Sequence, residues 1–78
     1  MNDPEPKVMQ KGVYRHTKSG KMYEVLGVAL HTETNEQLVV YRPRYESTWQ
    51  LFTRPYDMFN DGITINGKRV SRFEKVDE

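Results

Sequence analysis

The chain has 78 residues, with 12 Lys and Arg against 11 Asp and Glu, nine aromatic side chains (one Trp, five Tyr, three Phe) and no Cys. That length holds one small domain, which buries only roughly 60% of the surface of its unfolded chain. Disulfide staples and thiolate metal sites are excluded, and a formal charge of +1 lacks the basic excess usual in nucleic-acid-binding domains.

Residues 1–10 carry two prolines, several charges and no apolar period, so a flexible arm is expected there. They also lack the basic start and apolar run of a signal peptide. No apolar run approaches the roughly 18 residues of a membrane span. Together with absent cysteine, this points to a soluble protein in the cytoplasm.

Gly12-Val13-Tyr14-Arg15-His16 alternates and predicts a first strand. Lys18-Ser19-Gly20-Lys21 supplies a turn. Met22 to Leu30 is apolar on both parities: Tyr23, Val25 and Ala29 on one, Leu26, Val28 and Leu30 on the other. Such a strand is either covered on both sides or bent, and Gly27 marks the point of easiest bending. His31 to Gln37 is a polar hairpin end, and Leu38 to Arg42 is the next strand, stopped by Pro43.

Arg44 to Thr48 connects to a predicted fourth strand, Trp49 to Thr53, closed by Pro55. Tyr56-Asp57-Met58-Phe59 predicts one turn of 3₁₀ helix with Met58 and Phe59 inward. Ile63-Thr64-Ile65 and Lys68-Arg69-Val70 flank Asn66-Gly67, a strong hairpin signal, since both turn positions need positive φ. Ser71-Arg72-Phe73 extends the last strand, within a domain of residues 11–76, and a charged tail closes the chain at 77–78.

The fold class is therefore all-β: five or six short strands forming a small SH3-like barrel with one 3₁₀ turn. Tyr23, Phe52, Met58, Phe59 and Phe73 are the expected core.

Several motifs then fall into one order and spacing: Gly12-x-Tyr14-Arg15-His16, Lys18, Tyr23-x-Val25-Leu26-Gly27-Val28-Ala29, His31-x-Glu33-Thr34-x-Glu36, Val39-Val40-Tyr41-Arg42, Tyr45, Arg54-Pro55-x-x-Met58-Phe59 and Arg72-Phe73. The pattern covers about residues 11–76 and resembles a family of small bacterial proteins known as domain of unknown function 1653. The resemblance implies a bacterial or phage origin and no established activity. The chain departs from the family pattern at Leu30, where Arg is frequent, at Thr17, where an aromatic is frequent, and at Arg44, where an aliphatic residue is common. The absent Arg at position 30 weakens any scheme in which that position binds an anion.

Three constellations carry chemistry. His31, Glu33 and Glu36 could share a metal ion or act as general acid and base, since alternate residues of an extended segment point the same way. The plainer reading is a polar hairpin end whose side chains bond turn amides. Arg15, Arg42, Arg54 and Arg72 sit in strands or at their ends, where pairing with carboxylates such as Glu33 or Glu36 competes with binding a ligand anion. Tyr41, Tyr45 and Trp49 are read as lining a surface groove.

The leading expectation is a non-catalytic binding module for protein or peptide, with Arg15, His31, Glu33, Glu36, Tyr41, Arg42, Tyr45, Trp49 and Arg54 in its site. It needs no cofactor and acts as a monomer or weak homodimer. The alternatives are a nucleic-acid-binding module, or a small acid–base or metal-assisted enzyme using His31, Glu33 and Glu36.

Overall fold

A computed structural model describes residues 4–76. The expected tail, 77–78, and the first three residues of the arm lie outside the described residues. The chain is all-β apart from one helical turn. β1 (Gly12–His16), β2 (Met22–Leu30), β3 (Gln37–Pro43) and β4 (Phe52–Pro55) form an antiparallel meander. The turn α1 (Tyr56–Phe59) follows, then the hairpin β5 (Gly62–Ile65) and β6 (Lys68–Ser71), and finally β7 (Phe73–Lys75). β7 pairs with β1, giving a five-stranded sheet of order β4-β3-β2-β1-β7, and β5 and β6 form a separate two-stranded sheet. Both sheets are open: β4 and β7 are edges and do not pair with each other. No helix among the described residues is long and apolar enough to cross a membrane.

The last strand is split in two at Arg72. Its N–H donates to the carbonyl of Asp61 at 3.1 Å, and its own carbonyl accepts from the Thr17 N–H at 2.9 Å. The chain leaves one sheet and enters the other at that residue.

The mixed apolar parity of β2 has a single cause. Val25 faces Tyr41 and Gly27 faces Val40, so Leu26 is an extra residue, a β-bulge. Directly opposed residues share a face. Tyr23 and Val25 therefore point inward before the bulge, and Val28 and Leu30 after it, opposite Val39 and Gln37. Leu26 is pushed outward and is 38% exposed.

The two long hairpins of the meander close with the same loop. Gly20 N–H donates to the His16 carbonyl (2.7 Å) and Asn35 N–H to the His31 carbonyl (2.7 Å). Gly20 and Asn35 occupy the left-handed region, with φ of 77° and 61°. Asn66 and Gly67 both have positive φ, as the β5–β6 turn requires.

Among the described residues six are buried: Tyr14, Val25, Val39, Tyr41, Phe59 and Phe73, with Met9, Tyr23, Phe52 and Tyr56 packed against them. Phe59 and Phe73 stack face to face, with centroids 4.0 Å apart. Tyr41 meets Phe59 edge-on at 5.3 Å. Residues 4–10 have no regular structure. They lie against the sheet through bonds to their backbone: Gln37 Oε1 accepts from the Lys7 N–H (2.7 Å), and the Tyr56 and Tyr14 hydroxyls donate to the carbonyls of Val8 and Gln10 (both 2.7 Å).

Three local expectations are corrected. Residues 56–59 form an α-turn and not a 3₁₀ turn, because Asn60 N–H reaches back four residues to the Tyr56 carbonyl (3.1 Å). Met58 is 50% exposed, because so short a turn presents one side to the core and Phe59 fills it. The fourth strand begins at Phe52, leaving Trp49 to Leu51 outside it and exposed. Pro55 ends this strand opposite Leu38, on an edge where a missing N–H costs no ladder bond.

Candidate functional site

β2 and β3 present an outer face made of the residues that alternate away from the core. The bulge adds Leu26 to this face, and the connection 43–51 rises beside it. Between them lies an open groove of about 510 Å³, lined by Leu26, Arg42, Pro43, Tyr45, Trp49 and Leu51, with Glu46, Ser47 and Gln50. Trp49 is 71% exposed and Leu51 54%. The connection is fixed at two points. Ser47 Oγ accepts from the Trp49 N–H at 3.2 Å, and Arg44 N–H donates to the Met22 carbonyl at 2.9 Å, extending the β2–β3 ladder.

Tyr45 anchors the groove to the interior. Its hydroxyl bonds that of Tyr23 at 3.1 Å, and the two rings meet edge-on at 5.6 Å. The Lys21 ammonium sits 4.9 Å above the Tyr45 ring. Burial first, then the Tyr45 hydroxyl, raises the Tyr23 phenol far above its ordinary value, so it stays protonated.

Tyr41 does not belong to this groove. It is inward-facing and 5% exposed, opposite Val25 and Phe52, because the alternation of β3 puts Val39 and Tyr41 on the core face together. Arg42, its neighbour, does reach the groove, but its Nε donates to Glu24 at 2.8 Å, directly across the ladder. Arg15 similarly bonds Glu74 across β1–β7 at 3.1 Å, away from the groove. Arg72 donates twice to Asp61, from Nε at 2.6 Å and Nη2 at 3.3 Å. That bond holds the Asp61 carboxyl below its usual range. The partners of these arginines are thus Glu24, Glu74 and Asp61, in place of the expected Glu33 or Glu36. Cross-strand register selects Glu24 and Glu74, and the bend at Arg72, whose N–H bonds the Asp61 carbonyl, selects Asp61.

His31, Glu33 and Glu36 sit on the exposed β2–β3 loop. His31 Nδ1 accepts from the Glu33 N–H and Thr34 Oγ1 from the Glu36 N–H, both at 3.2 Å, so His31 and Thr34 act as caps of turn amides. Among the described residues no three His, Asp or Glu side chains gather as a metal site. Glu36 also lines a second hollow, of about 410 Å³, with Lys7, Gln37, Tyr56 and Asp57, where Lys7 and Asp57 pair at 3.2 Å. His16 and His31 are held apart by the nine residues of β2, roughly 25–30 Å of strand.

Sequence reasoning missed Leu26 and Leu51 as groove residues. The apolar parity break in β2 is the signal that could have found Leu26. Nothing local marks Leu51, since it reads as strand.

The family described as "Protein of unknown function (DUF1653)" matches residues 12–75. A crystal structure of a DUF1653 protein from Bordetella bronchiseptica is similar to this one, with 35% sequence identity, coverage of 87% of each chain and a TM-score of 0.80. No curated protein matches the chain.

Proposed function

The chain belongs to the DUF1653 family, for which no function is described, and from its outer groove we propose that it is a non-catalytic binding module for an extended peptide segment of a partner protein. The observation that carries this reading is the Trp49–Leu51–Leu26 patch. The only tryptophan of a domain with six buried residues is 71% exposed, beside two exposed leucines in a concave groove. Contiguous exposed apolar surface rimmed by polar groups marks an interaction site. The partner segment supplies an apolar or aromatic anchor that lies against Trp49.

The charges of the groove favour a peptide over a nucleic acid. Arg42 is neutralised by Glu24, and Glu46 adds a negative rim, whereas a phosphate backbone needs clustered unpaired cations. In SH3-like folds aromatics on connecting loops form peptide grooves. The bulged, bent sheet and the loop carrying Tyr45 and Trp49 support the same arrangement here, in an open form, within a cytoplasmic module.

The test is selection of a displayed random-peptide library on the protein, followed by screening on W49A. Peptides that share an aromatic or aliphatic anchor and lose binding to W49A support the module. A selection yielding no binders, or binders indifferent to W49A, overturns it.

A further inference from the structure

Phe73 is a hub on the inner side of the sheet, linked to the groove only through the Tyr23–Tyr45 bond. One face of its ring is stacked on Phe59. Around the rest stand four polar side chains from four strands, Arg54, His16, Tyr23 and, at 5.8 Å, Tyr41. The Arg54 guanidinium lies over the ring at 5.7 Å, the His16 imidazole meets it at 5.1 Å and the Tyr23 phenol at 5.9 Å. Each is placed by register: Arg54 points inward opposite Val39, His16 opposes Phe73, and Tyr23 opposes Tyr14.

Arg54 is the odd member among the strand arginines. Arg15, Arg42 and Arg72 each hold a carboxylate, but Arg54 is half-buried and pairs with none among the described residues. Its only hydrogen bond there is a long one, from Nε to the Tyr41 hydroxyl at 3.5 Å. The Nη1 and Nη2 fork remains available. The nearest candidate acid, Asp61, is already held bidentately by Arg72. Arg54 acts on the Asp61 carboxylate only through space, so its fork has no direct anionic partner among the described residues.

His16 completes a donor-only set. Its Nδ1 lies 3.2 Å from the Ser19 N–H, which can only donate, so Nδ1 accepts and the ring proton resides on Nε2. The Ser19 hydroxyl bonds the same nitrogen at 2.8 Å. The Tyr23 hydroxyl is engaged with that of Tyr45 at 3.1 Å and is not counted among the donors. Cations surround the seat: Lys18 and Lys21 from the β1–β2 hairpin, Arg54 from β4 and Arg72 from the bend before β7 all act on His16.

We infer that Arg54 and His16 form a seat for a phosphate group at the rim of Phe73. A carboxylate is satisfied by one two-pronged fork. Here Arg54 and His16 donate from two strands and two lysines add charge beside His16, which suits an anion with three accepting oxygens and two charges. The phosphate is either free or carried as a monoester, such as that of a nucleotide.

The test follows the His16 imidazole by NMR while inorganic phosphate, acetate or AMP is added at constant ionic strength. A bound dianion favours the charged imidazolium, so phosphate should raise the His16 pKa by about one unit, the effect of an adjacent opposite charge. Exposed His31, at the far end of β2, serves as the internal control and should not follow. R54Q should abolish the shift. R54K, which keeps the charge but loses the fork, should weaken phosphate binding about tenfold. Tighter binding of AMP identifies a nucleotide phosphate and equal binding a free phosphate or simple ester; both uphold the seat. Three results overturn it: an unmoved His16, an equal response to acetate, or an undiminished response in R54Q. Should R54Q unfold, the wild-type contrast between phosphate and acetate still decides.

Discussion

Replacement of Trp49 by Ala separates a groove residue from a core residue, because its two effects differ in size. The side chain is 71% exposed, leaving 29% covered in the free protein. A Trp offers up to about 250 Å², so the covered part is about 70 Å² and contributes under 2 kcal/mol at about 25 cal/mol/Å². Residual compactness of the unfolded chain lowers that value further. A bound peptide that covers the exposed part removes up to about 180 Å² from water, equivalent to about 4 kcal/mol. W49A should therefore cost at most 1–2 kcal/mol of stability by urea denaturation followed by circular dichroism, yet weaken library-selected peptides by more than about tenfold, a loss above 1.4 kcal/mol. Because this is the single tryptophan, its emission in the wild type reports one site and should shift to the blue on binding. Unfolding of W49A at the temperature where the wild type is intact would place Trp49 in the core and refute the reasoning. So would undiminished peptide affinity.

Phe59→Ala removes the ring stacked on Phe73 and should cost about 3–5 kcal/mol, a large part of the stability of so small a domain; a loss under about 1 kcal/mol in urea would contradict the assigned core. Burial, then Arg54 and the neighbouring cations, hold the His16 pKa below its ordinary 6.5. The fold therefore favours the neutral ring: its contribution is complete above pH 6.5 and is lost as pH falls below it, through the depressed folded value. H16Q should flatten that slope in stability measured against pH, and an unchanged slope would reassign it to the carboxylates. Tyr45→Phe deletes the hydroxyl bonded to Tyr23 but keeps the ring in the groove, so stability should fall by about 1 kcal/mol, with selected-peptide affinity changed less than about threefold; a larger loss would mean that the hydroxyl itself touches the peptide.

The strands legible in the sequence are those with a local cause. β1, the β2–β3 hairpin and the Asn66-Gly67 turn follow from alternation and from residues that accept positive φ. The family resemblance is also carried by local motifs, and the match over residues 12–75 bears it out. What escaped the sequence depends on partners distant along the chain. The arginine pairs are set by the register of β2 with β3 and of β1 with β7, separations of 18 and 59 residues. Tyr41 was placed in the groove with Tyr45 and Trp49, because nothing nearby tells which face of β3 meets the core. The answer lies in Leu26: the bulge there fixes Val25 opposite Tyr41, and so turns Tyr41 inward. Tyr45 and Trp49 both line the outer groove, on a connection that no strand alternation governs.

Burial is scarce in this molecule, and that gives the exposure of Trp49 its weight. Among the six buried residues are four aromatics, Tyr14, Tyr41, Phe59 and Phe73. The core is built mainly by turning aromatic rings inward and setting them edge-on. A cysteine-free domain of this size has no disulfide to compensate for apolar surface left outside. The Trp49 ring is nonetheless directed away from the core by a connection whose position is actively held, through Ser47, Arg44 and the Tyr45–Tyr23 bond. The same reasoning applies to Arg54. Arg15 and Arg42 find carboxylates through register and Arg72 through the bend, so Arg54 beside Phe73 lacks a direct one among the described residues although acids are at hand. Trp49 and Arg54 are therefore the side chains on which the two proposals rest, and the ones to substitute first.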